Sequence, residues 1–149
     1  MKKKIIIGIV VLLVAIQFVP IKKNISSETS NQFLVATSAS NEISNILEVS
    51  CFDCHSNNTV YPWYNNIAPV SWFLKRHIDE GKEHLNFSAW DGYDAKKKHH
   101  KLDECVEMIE KNEMPLSSYT LIHKDAKLSQ EQQDLLIGFF KAEMSKIAQ

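Results

Sequence analysis

Cys51-Phe52-Asp53-Cys54-His55 sets two thiols three positions apart, with an imidazole directly after the second. Thiols at that spacing can reach the two vinyl groups along one edge of a porphyrin and form thioethers. The adjacent imidazole can then lie under the ring as the proximal iron ligand. The C-x-x-C-H pattern is therefore the attachment signature of one covalently bound haem c. Covalent attachment lets a small domain keep a large apolar cofactor without enclosing it, and the ring adds burial that a small domain otherwise lacks. In a chain with 3 Cys and 6 His a chance match is rare, roughly a few in a thousand.

Three other chemistries use the same residue types. A thioredoxin-like redox pair needs a βαβ setting, which this sequence lacks. A zinc site could draw on Cys51, Cys54, His55 and Cys105, but consecutive residues rarely both bind one tetrahedral ion, and there is no second C-x-x-C. A disulfide between Cys51 and Cys54 is the third. The sixth position of a haem iron points to Met114, which follows a predicted helix and precedes Pro115. A thioether there raises the potential relative to a second histidine, which suits an electron carrier. His77, His84, His99, His100 and His123 are its rivals, and Met108 and Met144 fit helix faces better as core. Asn58 or Arg76 could meet a propionate.

The elements that position these residues read as helices. Ile43, Ile46 and Leu47 have helical spacing behind a cap at Ser40 or Asn41, and this helix runs directly into Cys51. A second helix starts near Pro69 and ends by Gly81 or Leu85. A third covers about 95–111, with Leu102, Cys105, Val106 and Ile109 on its apolar face, which makes Cys105 a buried, inert thiol. Ser129 and Gln132 form a capping box opening the last helix, which buries Leu135, Leu136, Phe139, Phe140 and Met144. Tyr61, Trp63, Tyr64, Trp72, Phe73, Phe87 and Trp90 read as a core cluster or as rings packed on the haem. No strand alternation of useful length occurs, so the class is all-α.

The 149 residues suffice for one compact domain. The formal charge of −1 is an uneven average: five of the 17 basic residues lie in the first 23 positions without any acid. From Asn24 onward twelve basic residues face eighteen acidic ones. That balance argues against nucleic acid as a partner. Three lysines precede the apolar run Ile5–Val19, which ends without a small-residue cleavage site. The run reads as an uncleaved transmembrane helix, with a signal peptide as the alternative. Residues 1–21 are then a membrane anchor, 22–41 a polar tether into which Phe33-Leu34-Val35 introduces a docking point, and 42–149 the haem domain. The lysine balance places the domain on the periplasmic side of the inner membrane.

Cys51-Phe52-Asp53-Cys54-His55-Ser56-Asn57, Tyr61-Pro62-Trp63-Tyr64 and Ile67-Ala68-Pro69-Val70-Ser71-Trp72 together resemble the bacterial haem-binding domain family. Leu85-Asn86-Phe87-Ser88, Met114-Pro115-Leu116 and His123 through Ser129 continue the likeness over about residues 42–142. The resemblance implies a small cytochrome c-like helical domain around one haem. It implies Cys51 and Cys54 as thioether attachments, His55 as proximal ligand and Met114 as distal ligand. Leu116 departs mildly from the family pattern. The expected function is one-electron transfer with a transient, basic redox protein partner, and no catalytic residue. The alternative is a haem-based sensor or peroxidase-like enzyme in which Met114 dissociates, although no distal acid–base pair stands out.

Overall fold

The computed structural model describes residues 1–26 and 31–147. Residues 27–30, within the expected tether, and 148–149 lie outside the described residues. The elements in chain order are α1 (Lys2–Ala15), a 3-10 turn (Ile16–Phe18), α2 (Gln32–Thr37), α3 (Asn41–Ser50), α4 (Phe52–His55), a 3-10 turn (Trp63–Asn66), α5 (Val70–His84), a 3-10 segment (Phe87–Gly92), α6 (Ala95–Glu110), α7 (Ser117–Thr120), a 3-10 turn (Lys124–Ala126) and α8 (Gln130–Lys146). The described residues hold no strand, only one isolated antiparallel bridge between Ile25 and Asn58. The all-α reading therefore stands.

Local chemistry accounts for the long helices. The Ser40 hydroxyl accepts from the Ile43 N–H at the start of α3, and the Asp94 carboxylate accepts from the Lys97 N–H at the start of α6. Ser129 and Gln132 close the expected capping box at the start of α8. Helices α6 and α8 pack along each other, and Leu102, Val106, Ile109, Leu136 and Phe140 fill their seam. Leu135 of α8, expected inside, is instead exposed, while Glu143 is buried.

The core recruits a residue from upstream of the expected domain start. Phe33 is fully buried and packs on Phe87 (ring centroids 4.8 Å) and edge-on to Trp90 (4.8 Å). Leu34 is buried beside it, whereas Val35 faces solvent. Asn24 is equally committed: its side chain donates to the Ser56 carbonyl (2.8 Å) and Thr59 Oγ1 (2.9 Å), and it accepts from Lys82 Nζ (2.6 Å).

The N-terminus corrects one expectation. Helix α1 covers 14 residues, about 21 Å, against roughly 30 Å of hydrocarbon. Among the described residues no helix is long and apolar enough to cross a membrane. The expected transmembrane helix, anchoring in the membrane through it and the single-pass inner-membrane placement are thereby overturned, and the periplasmic side, read from that helix's flanking lysines, loses its basis. The apolar run breaks because Ile16–Phe18 winds into a 3-10 turn and Gln17 is used otherwise. Its amide pairs with the Ala68 backbone on both sides, Nε2 donating to the carbonyl (3.0 Å) and Oε1 accepting from the N–H (3.0 Å).

Candidate functional site

Helix α4 is a single turn, and that turn carries the motif. The Cys54 and His55 N–H groups both donate to the Cys51 carbonyl, at 3.2 and 3.0 Å. Residues i, i+3 and i+4 of one turn share a face, so both thiols and the imidazole are presented together. The cysteines are free. Burial, reinforced by Cys54, raises the Cys51 thiol to about 12, and burial with the Asp53 charge raises Cys54 to about 11. Thiols held protonated in this way are not the low-pKa nucleophiles of a dithiol redox pair. Among the described residues no three His, Cys, Asp or Glu side chains gather as a metal ion would require, so the zinc alternative finds no site there.

The residue that ends α5 fixes His55. The imidazole Nδ1 lies 3.1 Å from the Leu85 carbonyl, which can only accept. The proton therefore sits on Nδ1, and Nε2 carries the free lone pair. Burial pushes the imidazole pKa down, only partly opposed by the Leu85 and Gly81 carbonyls, which keeps the lone pair available. Phe87 stands edge-on to the ring at 6.4 Å, and Phe52 lies against Phe87 at 5.3 Å.

Helix α5 reaches the turn at a position that admits only glycine. A Cβ built at Gly81 would lie 2.8 Å from the Cys54 carbonyl oxygen and 3.2 Å from Cys54 Cβ. Gly81 is thus an interior residue of α5 that allows backbone approach, and Leu85, the other expected stop, is the residue that ends the helix. The loop after the turn is knitted to its surroundings. Thr59 Oγ1 donates to the Asp53 carbonyl (2.6 Å), the Asn57 N–H to Ser88 Oγ (3.0 Å), and Asn86 Nδ2 to Asn57 Oδ1 (2.9 Å).

Met114 stands apart from this constellation. It follows α6, where its N–H and that of Glu113 both donate to the Met108 carbonyl. Its half-buried side chain lines an open groove of about 540 Å³ with Pro115, Leu121, Lys127 and Leu128, and none of the three motif residues lines that groove. A tie between the two regions does exist a few residues on: the Tyr119 hydroxyl donates to Asp53 Oδ2 at 2.7 Å. Asp53 Oδ1 meanwhile accepts from the Val60 N–H at 2.9 Å. The His123 ring stacks on Tyr119 (centroids 4.3 Å, 14° between planes) and its Nε2 pairs with the Tyr64 hydroxyl at 2.5 Å.

The other candidate residues have partners of their own. His77 is half-buried and bonds back to the Phe73 carbonyl of its own helix, and His100 pairs with Glu104. Arg76 is exposed and paired with Glu80, and Asn58 is exposed beside the Ile25 bridge. Of the seven aromatic residues, only Phe87 and Trp90 are core, while Trp63 is 76% and Phe73 54% exposed. Cys105 does pack against the core, near Cys51, and burial lifts its thiol above the usual range. Sequence reasoning missed Asn65, which is 2% exposed and whose side-chain Nδ2 and Oδ1 have no partner among the described residues. An asparagine in a run of turn formers gives no sign that it will be buried.

A family model described as a haem-binding domain matches residues 11–142, most of the chain. The chain belongs to that haem-binding domain family. No curated protein and no solved structure matches it. The residues present fit the group that the family name implies. This haem-binding domain offers two free thiols and a tautomer-fixed imidazole on one face of one turn, with phenylalanine rings beside them.

Proposed function

We propose that this haem-binding domain carries one haem c and transfers single electrons. Cys51 and Cys54 attach it, His55 Nε2 binds the iron, and Met114 supplies the sixth ligand. The observation that carries the reading is the α4 turn, where both thiols and the imidazole share a face and His55 Nδ1 is engaged by the Leu85 carbonyl. That carbonyl fixes the ring orientation and raises the basicity of Nε2, as an outer partner does for a ligating histidine. In attachment each S–H adds across one vinyl double bond, sulfur to one carbon and hydrogen to the other, so no oxidant is consumed. A bound iron would supply a one-electron couple, and Phe87, backed by Phe52, shields the His55 ring that would hold it. The net acidic charge beyond Asn24 suits brief docking to a basic redox protein, with rates that fall as salt rises.

The test is spectroscopic. The denatured chain should retain haem, and the Cys51→Ala/Cys54→Ala chain should lose it to organic extraction. The oxidised protein should show the weak red charge-transfer band of methionine-ligated iron, absent in Met114→Ala. Haem extractable from the unaltered chain would overturn the covalent reading. Rapid carbon monoxide binding by the reduced protein would favour an open sixth position, and hence a sensor.

A further inference from the structure

The arc from Glu113 to Ala126 is pinned firmly only at its ends. At its start the Glu113 and Met114 N–H groups share the Met108 carbonyl, and at its far end Ala126 and Leu128 return to the core. Between these points apolar burial contributes little: Leu121 is 76% and Ile122 63% exposed. What crosses from the arc to the rest of the molecule is polar and aromatic. Tyr119 reaches Asp53, inside the C-x-x-C-H turn, and His123, stacked on Tyr119, reaches Tyr64 in the 3-10 turn Trp63–Asn66. These partners are far apart in sequence, so no local backbone preference places them together. They meet because the arc closes over the attachment turn.

We propose that Tyr119 and His123, through Asp53 and Tyr64, form a clasp that positions the Met114 arc on the attachment turn and sets how readily an outside ligand displaces Met114 from the iron. The inference rests on the proposed ligation by Met114. In this arrangement Asp53 has two tasks: its Oδ1 shapes the loop after the turn by taking the Val60 N–H, and its Oδ2 holds the arc. The Tyr119 bond ends on a carboxylate, the stronger class of hydrogen bond, and its loss releases the arc at its midpoint without disturbing either end.

The experiment is an imidazole titration of the oxidised, haem-loaded full chain, monitored by loss of the methionine band. Tyr119→Phe keeps the ring stacked on His123 and removes only the hydroxyl. Its apparent imidazole affinity should rise about ten-fold, the change expected from losing one charge-assisted hydrogen bond. Asp53→Asn, which still offers an acceptor, should fall between Tyr119→Phe and the unaltered chain. Tyr64→Phe should raise affinity by a smaller factor and serves as the reading if Tyr119→Phe fails to fold. Lys141→Ala removes the Lys141–Glu110 ion pair between α8 and α6 and should change nothing. Unchanged affinity in both tyrosine variants overturns the clasp, and so does an equal rise in Lys141→Ala, which would mark general softening. Absence of the methionine band from the unaltered protein overturns Met114 ligation instead.

Discussion

Gly81→Ala puts the packing of α5 on the attachment turn to a quantitative test. In an exposed helix interior, glycine to alanine is worth about 1 kcal/mol in favour of alanine. Gly138, in α8, is such a site, because a Cβ there meets nothing within 4 Å. At Gly81 the new Cβ stands 2.8 Å from a backbone oxygen, 3.2 Å from Cys54 Cβ and 3.3 Å from the Cys54 carbonyl carbon. No rotamer change relieves a contact with backbone, so α5 and α4 must separate, at the roughly 1–3 kcal/mol typical of an overpacked site. The helix-propensity gain is then at least cancelled. Gly81→Ala should be neutral to destabilising, by up to about 2 kcal/mol, while Gly138→Ala gains about 1 kcal/mol. Guanidinium unfolding of the haem-loaded chain, with equal slopes, reads both values as midpoint shifts. If Gly81→Ala stabilises as much as Gly138→Ala, the close approach is not a constraint and the account of the turn is wrong.

Phe33→Ala empties a fully buried site between Phe87 and Trp90 and should cost about 3–5 kcal/mol by chemical denaturation. A loss below about 1 kcal/mol would mean that α2 is detached in solution. In the haem-free Cys51→Ala/Cys54→Ala background, Asn65→Leu should be neutral or stabilising, because it removes a buried amide that no group among the described residues satisfies. Clear destabilisation there would reveal a protein partner. Burial, the Asp53 hydrogen bond and the Asp53 charge hold the Tyr119 phenol protonated well above the usual tyrosine value of 10.0. The unfolded chain therefore releases that proton first, and stability falls as pH rises through about 10. In the same haem-free background, Tyr119→Phe should flatten this alkaline limb, and an unchanged limb would deny the phenol its shifted state.

Much of the scaffold was legible because it is written in local pattern. The Ser40 cap, the Leu102–Val106–Ile109 stripe and the Ser129–Gln132 box each act within a turn or two of themselves, so their consequence can be read from spacing. The thiols and imidazole of α4 were legible for the same reason. What escaped depends on distant partners. Asn24 lies in a polar stretch whose composition favours a tether, yet it meets the loop after the motif, whereas Phe33 in the same stretch was legible as a docking point from its apolar neighbours. Gly81 carries a signal that serves helix termination and close approach alike, and only the position of Cys54 separates them. Gln17 sits in an apolar run, where a single amide is easily overlooked until Ala68 is beside it. Trp63 and Phe73 show the reverse error, since aromatic type alone does not fix burial.

The two sides of the proposed haem site are held by different physics, and this partitions what substitutions there can do. The proximal side is built from backbone: the α4 turn closes on the Cys51 carbonyl, Gly81 lets α5 touch Cys54, and the Leu85 carbonyl holds His55. Ordering of that kind is achieved on folding, so a cofactor meeting it costs little further entropy, and damage to it registers as lost stability. The arc bearing Met114 has firm ends and a middle tied by two side-chain hydrogen bonds and a stacked pair of rings. Each such tie is weak compared with the apolar seam of α6 and α8, so its loss need not unfold the domain. Changes at Gly81 should therefore move the unfolding midpoint far more than ligand affinity, and changes at Tyr119 should do the opposite. Measuring both quantities on both variants tests this division directly, because a site held uniformly would shift the two in proportion.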